Sequence, residues 1–201
     1  MMLEDKFYTL CQNFTVDKQL SKNLWIEIKT YYSSPNRHYH TLKHLEYIYI
    51  SLENIEIDTV IEFSIFYHDI IYDVTKKDNE EKSASLAKKR LAELNVSKRV
   101  QKEVVELIIK TQKHQTESQK DSLFLDADLA ILASHREIYQ SYIEDIRKEY
   151  AIYSDKIYNS GRREVLNSFL KKERLYHSNY FHKRYEKIAR KNLESELKSL
   201  S

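Results

Sequence analysis

Apolar residues recur at helical spacing along most of the chain. In "LSKNLWIEIKTYY", Leu20, Leu24 and Ile28 share a face around Trp25, and Asp17 stands where a helix N-cap is needed. That helix should stop near "SSPN", because Pro35 disfavours helix at the residue before it. Thr41 opens "LKHLEYIYISL", with Leu45, Ile48, Tyr49 and Leu52 to one side. Thr59 with Glu62 reads as a capping box ahead of "FSIFYHDIIY", which sets the dipeptide His68-Asp69 in mid-helix. Asp78 with Glu81, and Ser134 with Glu137, give the same signature before "KSASLAKKRLAEL" and "IYQSYIEDI". Ser97 begins "KRVQKEVVELIIKT", with Val100, Val104, Leu107 and Ile108 in register. Two segments lack the pattern. "KHQTESQKDS", 113–122, reads as an exposed loop, and "LFLDADLAIL" is a short apolar run that holds two aspartates. The last forty residues supply two more helices.

Composition narrows the fold class. One glycine and one proline in 201 residues leave little material for tight turns between strands, so an all-α fold is expected. The 33 basic against 31 acidic residues give a net +2, which carries no argument for general nucleic-acid binding. A single cysteine, Cys11, allows no internal disulfide and fits a reducing compartment. The N-terminal "MMLEDKFYTL" is too acidic for a signal peptide, and no apolar run approaches the ~20 residues of a membrane helix. A soluble, cytoplasmic protein with no membrane partner is expected.

The chemistry concentrates at four places: His40 and His44, His68-Asp69, His114, and Asp126 with Asp128. Each alone has an ordinary structural reading. A lone histidine is usually satisfied or exposed, and an aspartate before a helix is usually a cap. A buried Asp69 without a partner would be strongly unfavourable, however, and capping does not explain His-Asp inside a helix.

In order along the chain, His44, the "HD" at 68–69 and the aspartate of "DADL" resemble the H…HD…D signature of the HD superfamily of metal-dependent phosphohydrolases, with 24 residues between the two histidines. "RHYHTLKHLEYI", "FYHDIIYD", "NEEKSASLA", "LDADLAIL" and "ARKNLESEL" resemble one uncharacterised bacterial branch of it, from about Arg37 to the C-terminus. The resemblance implies one HD-like helical bundle with additional C-terminal helices: a core over about 37–150 and flanking helices over 1–34 and 156–199. It implies that His44, His68, Asp69 and Asp128 bind a divalent ion (Mn, Fe, Co, Zn or Mg, one or two per chain). His40 and Asp126 stay open as substitutes for His44 and Asp128. Asp73 resembles an acidic position that follows the HD pair in the (p)ppGpp hydrolases of the superfamily, and one helical turn from Asp69 it would orient or deprotonate water. Arg37, His40, Lys113 and His114 are the candidates for substrate contacts, with Asn79 and Glu80 nearby.

The expected activity is hydrolysis of a nucleotide or other small phosphate ester through a metal-activated water. Two alternatives stand: a di-iron HD-fold oxygenase, and a non-catalytic nucleic-acid or nucleotide-binding module. The second draws on "KKERLYHSNYFHKRYEKIARK", a basic-aromatic stretch that is more often the solvated face of a helix.

Overall fold

The computed structural model describes residues 2–200, and among these it contains ten α-helices and no strand. The all-α expectation holds. Two compact units make up the chain, Met1–Gln115 and Thr116–Ser201. The division falls inside the span expected for the HD-like core.

The first unit holds α1 (Leu3–Gln12), α2 (Lys18–Tyr32), α3 (Leu42–Ser51), α4 (Thr59–Tyr67), α5 (Asn79–Glu93) and α6 (Lys98–Thr111). Helix α4 organises it. Val60, Ile61 and every residue from Phe63 to Tyr67 are buried, so the helix is apolar nearly all round and must be covered on every side. Helices α1, α3, α5 and α6 pack against it. Phe66 meets Phe7 of α1 edge-on at 5.0 Å, Trp25 of α2 at 6.4 Å and Tyr49 of α3 at 5.8 Å. A buried helix delivers whatever follows its last turn into the interior, and His68-Asp69 follows.

Several helix ends match their expected signals. Asp17 accepts from the Leu20 amide at 2.9 Å, Ser97 caps Val100, and α2 ends at Tyr32, three residues before Pro35. Others shift. Asp58, not Thr59, caps α4 by accepting from Ile61 at 3.0 Å, and no side-chain bond caps α5 at Asp78. Helix α8 begins after His135 rather than Ser134. With no glycine available, Asn95 and His114 adopt left-handed backbone (φ 60° and 48°) after α5 and α6, the conformation in which helices commonly end.

The second unit comprises α7 (Gln119–Asp128), a 3-10 turn at Leu129–Ala133, α8 (Arg136–Glu149), α9 (Asp155–Leu170) and α10 (Asn179–Ser199). Helix α7 corrects the sequence reading. Ser118 accepts from the Asp121 amide, which starts a helix inside the expected loop and carries it through both aspartates of "DAD". In the core of this unit Arg162 of α9 grips Glu196 of α10 through Nε and Nη2 at 2.6 and 3.0 Å. Tyr139 of α8 donates to the same carboxylate at 2.5 Å. All three residues are buried, so each charge depends on the others.

Candidate metal centre

Helix α4 stops at Tyr67, and His68 is its C-cap residue rather than a mid-helix position. The turn that follows aims the two side chains of the HD pair to one point instead of diverging around a helix axis. His68 is 1% exposed, and its Nδ1 lies 3.1 Å from the Ile65 carbonyl. A carbonyl can only accept, so Nδ1 donates to it, which leaves Nε2 as the ring atom that can face a metal. His44, on the first turn of α3 and 3% exposed, brings its own Nε2 to 3.1 Å from that atom. Asp69 Oδ2 lies 3.2 Å from His68 Nε2 and 3.9 Å from His44 Nε2.

The separations of 3.1 and 3.2 Å suit a shared cation, and the one of 3.9 Å asks for a wider angle at the ion. Ligand atoms bonded to one ion at about 2.0–2.2 Å stand roughly 3–3.5 Å apart for angles between square and tetrahedral. The donor set points the same way. Two imidazole nitrogens and a carboxylate oxygen are electron-rich, and one proton on His68 Nε2 would serve only one of its two close neighbours. Two imidazoles with carboxylate suit Mn, Fe, Co or Zn, with Mg less favoured. The first unit by itself therefore contains a group that could hold a metal ion.

His40 joins this group by an unexpected route. It precedes α3, so it does not share a helix face with His44, yet its Nε2 lies 3.8 Å from Asp69 Oδ2. Its ring stacks on Tyr72 at 4.0 Å. His40 thus sits beside His44 rather than in its place.

Arg37 differs from the expected phosphate contact. It is 8% exposed, and it donates through Nη1 to the carbonyls of Asp69 (2.7 Å) and His40 (3.2 Å), and through Nη2 to that of Ile70 (2.7 Å). Tyr32 and Tyr72 flank the guanidinium at 4.9 and 5.6 Å. One buried cation thus ties the His40 segment to the HD turn, a fork that lysine would not reproduce.

Asp73 also departs from expectation. Beyond Tyr67 the chain is not helical, so Asp73 is not one helical turn from Asp69. Its Oδ1 accepts from the Thr75 hydroxyl and amide at 2.7 and 2.8 Å, and those bonds hold its carboxyl below the usual range. Asn79 grips the Asp73 backbone from both sides. This is an anchored turn, poorly suited to a proton acceptor. Glu80, on the first turn of α5, has its pKa raised by burial and then by the negative field of Asp69, which marks it as a neighbour of the site. Lys113 is exposed, and His114 occupies the left-handed position that ends α6.

In the second unit the two aspartates of α7 separate cleanly. Asp126 is 1% exposed and accepts from the His177 amide at 2.8 Å through Oδ1 and from the Ser178 amide at 2.7 Å through Oδ2. Burial raises its pKa, and the bonds to Ser178 and His177 oppose that rise. Its carboxylate anchors the start of α10. Asp128, the last residue of α7, is half-buried. In the basic stretch, Arg190 is structural: it bonds Glu186 and the carbonyls of Leu170, Lys172 and Glu173. Lys183, Arg184, Lys187 and Lys191 are exposed on α10.

No helix among the described residues is long and apolar enough to cross a membrane. No family model matches the chain, and no curated protein or solved structure is similar to it.

Proposed function

We propose that the chain is a metal-dependent phosphohydrolase of the HD type, acting on a nucleotide or another small phosphate ester in the cytoplasm. The observation that carries this reading is the convergence of His44, His68 and Asp69, with ligand-capable atoms 3.1 and 3.2 Å apart around His68 Nε2. Asp128 is the proposed fourth ligand, since Asp126 already serves the backbone of residues 177–178. A divalent ion held by these residues would polarise a phosphoryl oxygen and supply hydroxide from a bound water near neutral pH.

The protein's own groups do the positioning. The Ile65 carbonyl fixes the His68 ring so that Nε2 faces inward, and Arg37 holds the backbone of Asp69 and Ile70 against the His40 segment. His40 adds a third imidazole next to Asp69, available to a metal or to a substrate oxygen. Glu80, whose pKa is raised by burial and also by the charge of Asp69, is a better candidate than Asp73 for handling a proton.

The test combines turnover with variants. Wild-type protein supplied with Mn²⁺ should release phosphate from p-nitrophenyl phosphate or from a panel of nucleoside monophosphates. His68→Ala and Asp69→Ala should remain folded by circular dichroism and lose that turnover by a hundredfold or more. Equal turnover in wild type and both variants would overturn the reading. Oxygen-dependent turnover with two irons per chain would replace it with the oxygenase.

A further inference from the structure

We propose that Arg174 is an anion-holding residue of the second unit, and that it takes a phosphate-like oxyanion on its Nε and Nη2 edge.

Arginine recognises oxyanions most specifically through two parallel N–H bonds. In three other arginines a carboxylate fills that edge. Arg90 presents Nε and Nη2 to Glu27 at 2.7 and 2.6 Å, Arg162 presents them to Glu196 at 2.6 and 3.0 Å, and Arg147 presents them to Asp155 at 3.1 and 2.6 Å. In Arg174 the same two nitrogens are buried, and no protein group among the described residues accepts from them. A guanidinium stays charged at any physiological pH, so two buried donors without an acceptor are a standing cost to the fold. A chain that retains them gains something by it, and an oxyanion ligand is the partner that this edge fits.

The segment that carries Arg174 is built as a rigid platform. It lies between α9 and α10, without regular secondary structure, and side chains hold its backbone along its length. Arg190 bonds the carbonyls of Lys172 and Glu173, and Glu186 accepts from the amides of Leu175 and Tyr176. Asp126 accepts from the next two amides, His177 and Ser178. Arg174 is therefore fixed on both sides, as a binding residue must be. The last of these anchors comes from α7.

Inorganic phosphate is the probe. Calorimetric titration of the Mn²⁺-loaded and the metal-free protein should give binding in the wild type. Arg174→Gln should weaken it at least tenfold in both forms, and Arg174→Lys should recover only part. Without phosphate, Arg174→Gln should melt no lower than wild type, because the lost group has no protein partner, and it should lose the rise in Tm that phosphate gives the wild type. A nucleoside monophosphate should displace the bound phosphate. Equal phosphate affinity in wild type and Arg174→Gln would overturn the proposal, as would a wild type that binds none. A large fall in Tm without phosphate would make Arg174 structural, and failure of a nucleotide to displace phosphate would leave a site for the free anion only. Metal content, measured on the same samples, keeps the two readings apart: a metal-free wild type whose phosphate binding depends on Arg174 would sink the metal centre alone.

Discussion

His44 and His68 meet Nε2 to Nε2 at 3.1 Å, one from the first turn of α3 and the other from the end of the buried helix α4. The Ile65 carbonyl holds the proton of His68 on the far side of its ring, and Asp69 Oδ2 closes in at 3.2 Å. Three electron-rich atoms drawn to one point in a nearly dry setting call for a cation. The functional reading grows from this pair.

Arg37 should matter to metal binding without touching metal. Arg37→Lys keeps the charge but loses the fork that joins the carbonyls of His40, Asp69 and Ile70. Removal of such an outer partner lowers metal affinity by about 10–100-fold. Competition against a chromophoric chelator measures this directly, and an altered visible spectrum of the Co²⁺-loaded variant would report displaced ligands. Unchanged affinity and spectrum would reduce Arg37 to a packing residue.

The two aspartates of α7 should separate by phenotype. Asp126→Ala removes an acceptor from two backbone amides and should destabilise the fold by roughly 1.5–3 kcal/mol per charge-assisted bond lost. Asp128→Ala should reduce metal content, and should cost the metal-free protein less stability than Asp126→Ala does. Thermal melts and elemental analysis of both variants check the assignment, and the reverse pattern would exchange their roles.

Breaking the buried Arg162–Glu196 pair should be costly whatever the chain's activity. Glu196→Ala leaves a guanidinium without its carboxylate and also strips Tyr139 of its acceptor. The expected loss is about 3–5 kcal/mol. Urea denaturation reads it, and a loss below about 1 kcal/mol would mean that the network contributes little.

Acid should loosen the α9–α10 segment through Glu186. Burial alone would raise its pKa, but hydrogen bonds from the Leu175 and Tyr176 amides and from Arg190 outweigh that and hold it below the usual glutamate range. His182, at 3.3 Å, is its other titratable neighbour. The carboxylate is favoured by folding, so its contribution is complete above the ordinary glutamate value and fades as pH falls through the lower, folded-state value. The Tm of Glu186→Gln should depend less on pH than that of wild type across this acidic window. Parallel curves would contradict the assignment.

Much of this was legible from residues. The scarcity of glycine and proline announced helices, and Asp17 and Ser97 cap where short-range chemistry says they should. The polar anomaly at His68-Asp69 was visible because it interrupts an apolar run. Other features depend on partners far along the chain. Asp126 reads as half of an ambiguous "DAD" until the amides 51 and 52 residues away are seen to use it. Arg37 resembles a solvated charge until it meets carbonyls 32 and 33 residues on. The exit of α4 at Tyr67 was hidden because Ile70 and Ile71 continue the apolar pattern past the end of the helix. Ser118 began α7 inside a polar stretch whose composition suggested a loop.

Metal content tests the central claim most directly. Protein purified without a metal-affinity tag, and incubated with Mn²⁺ before gel filtration, would be analysed for its elements beside Asp69→Ala. The account predicts about one or two divalent ions per wild-type chain, from the ligands at hand, and a clear loss in a variant that still folds. Wild-type protein without metal, or a variant that keeps the full complement, would contradict it.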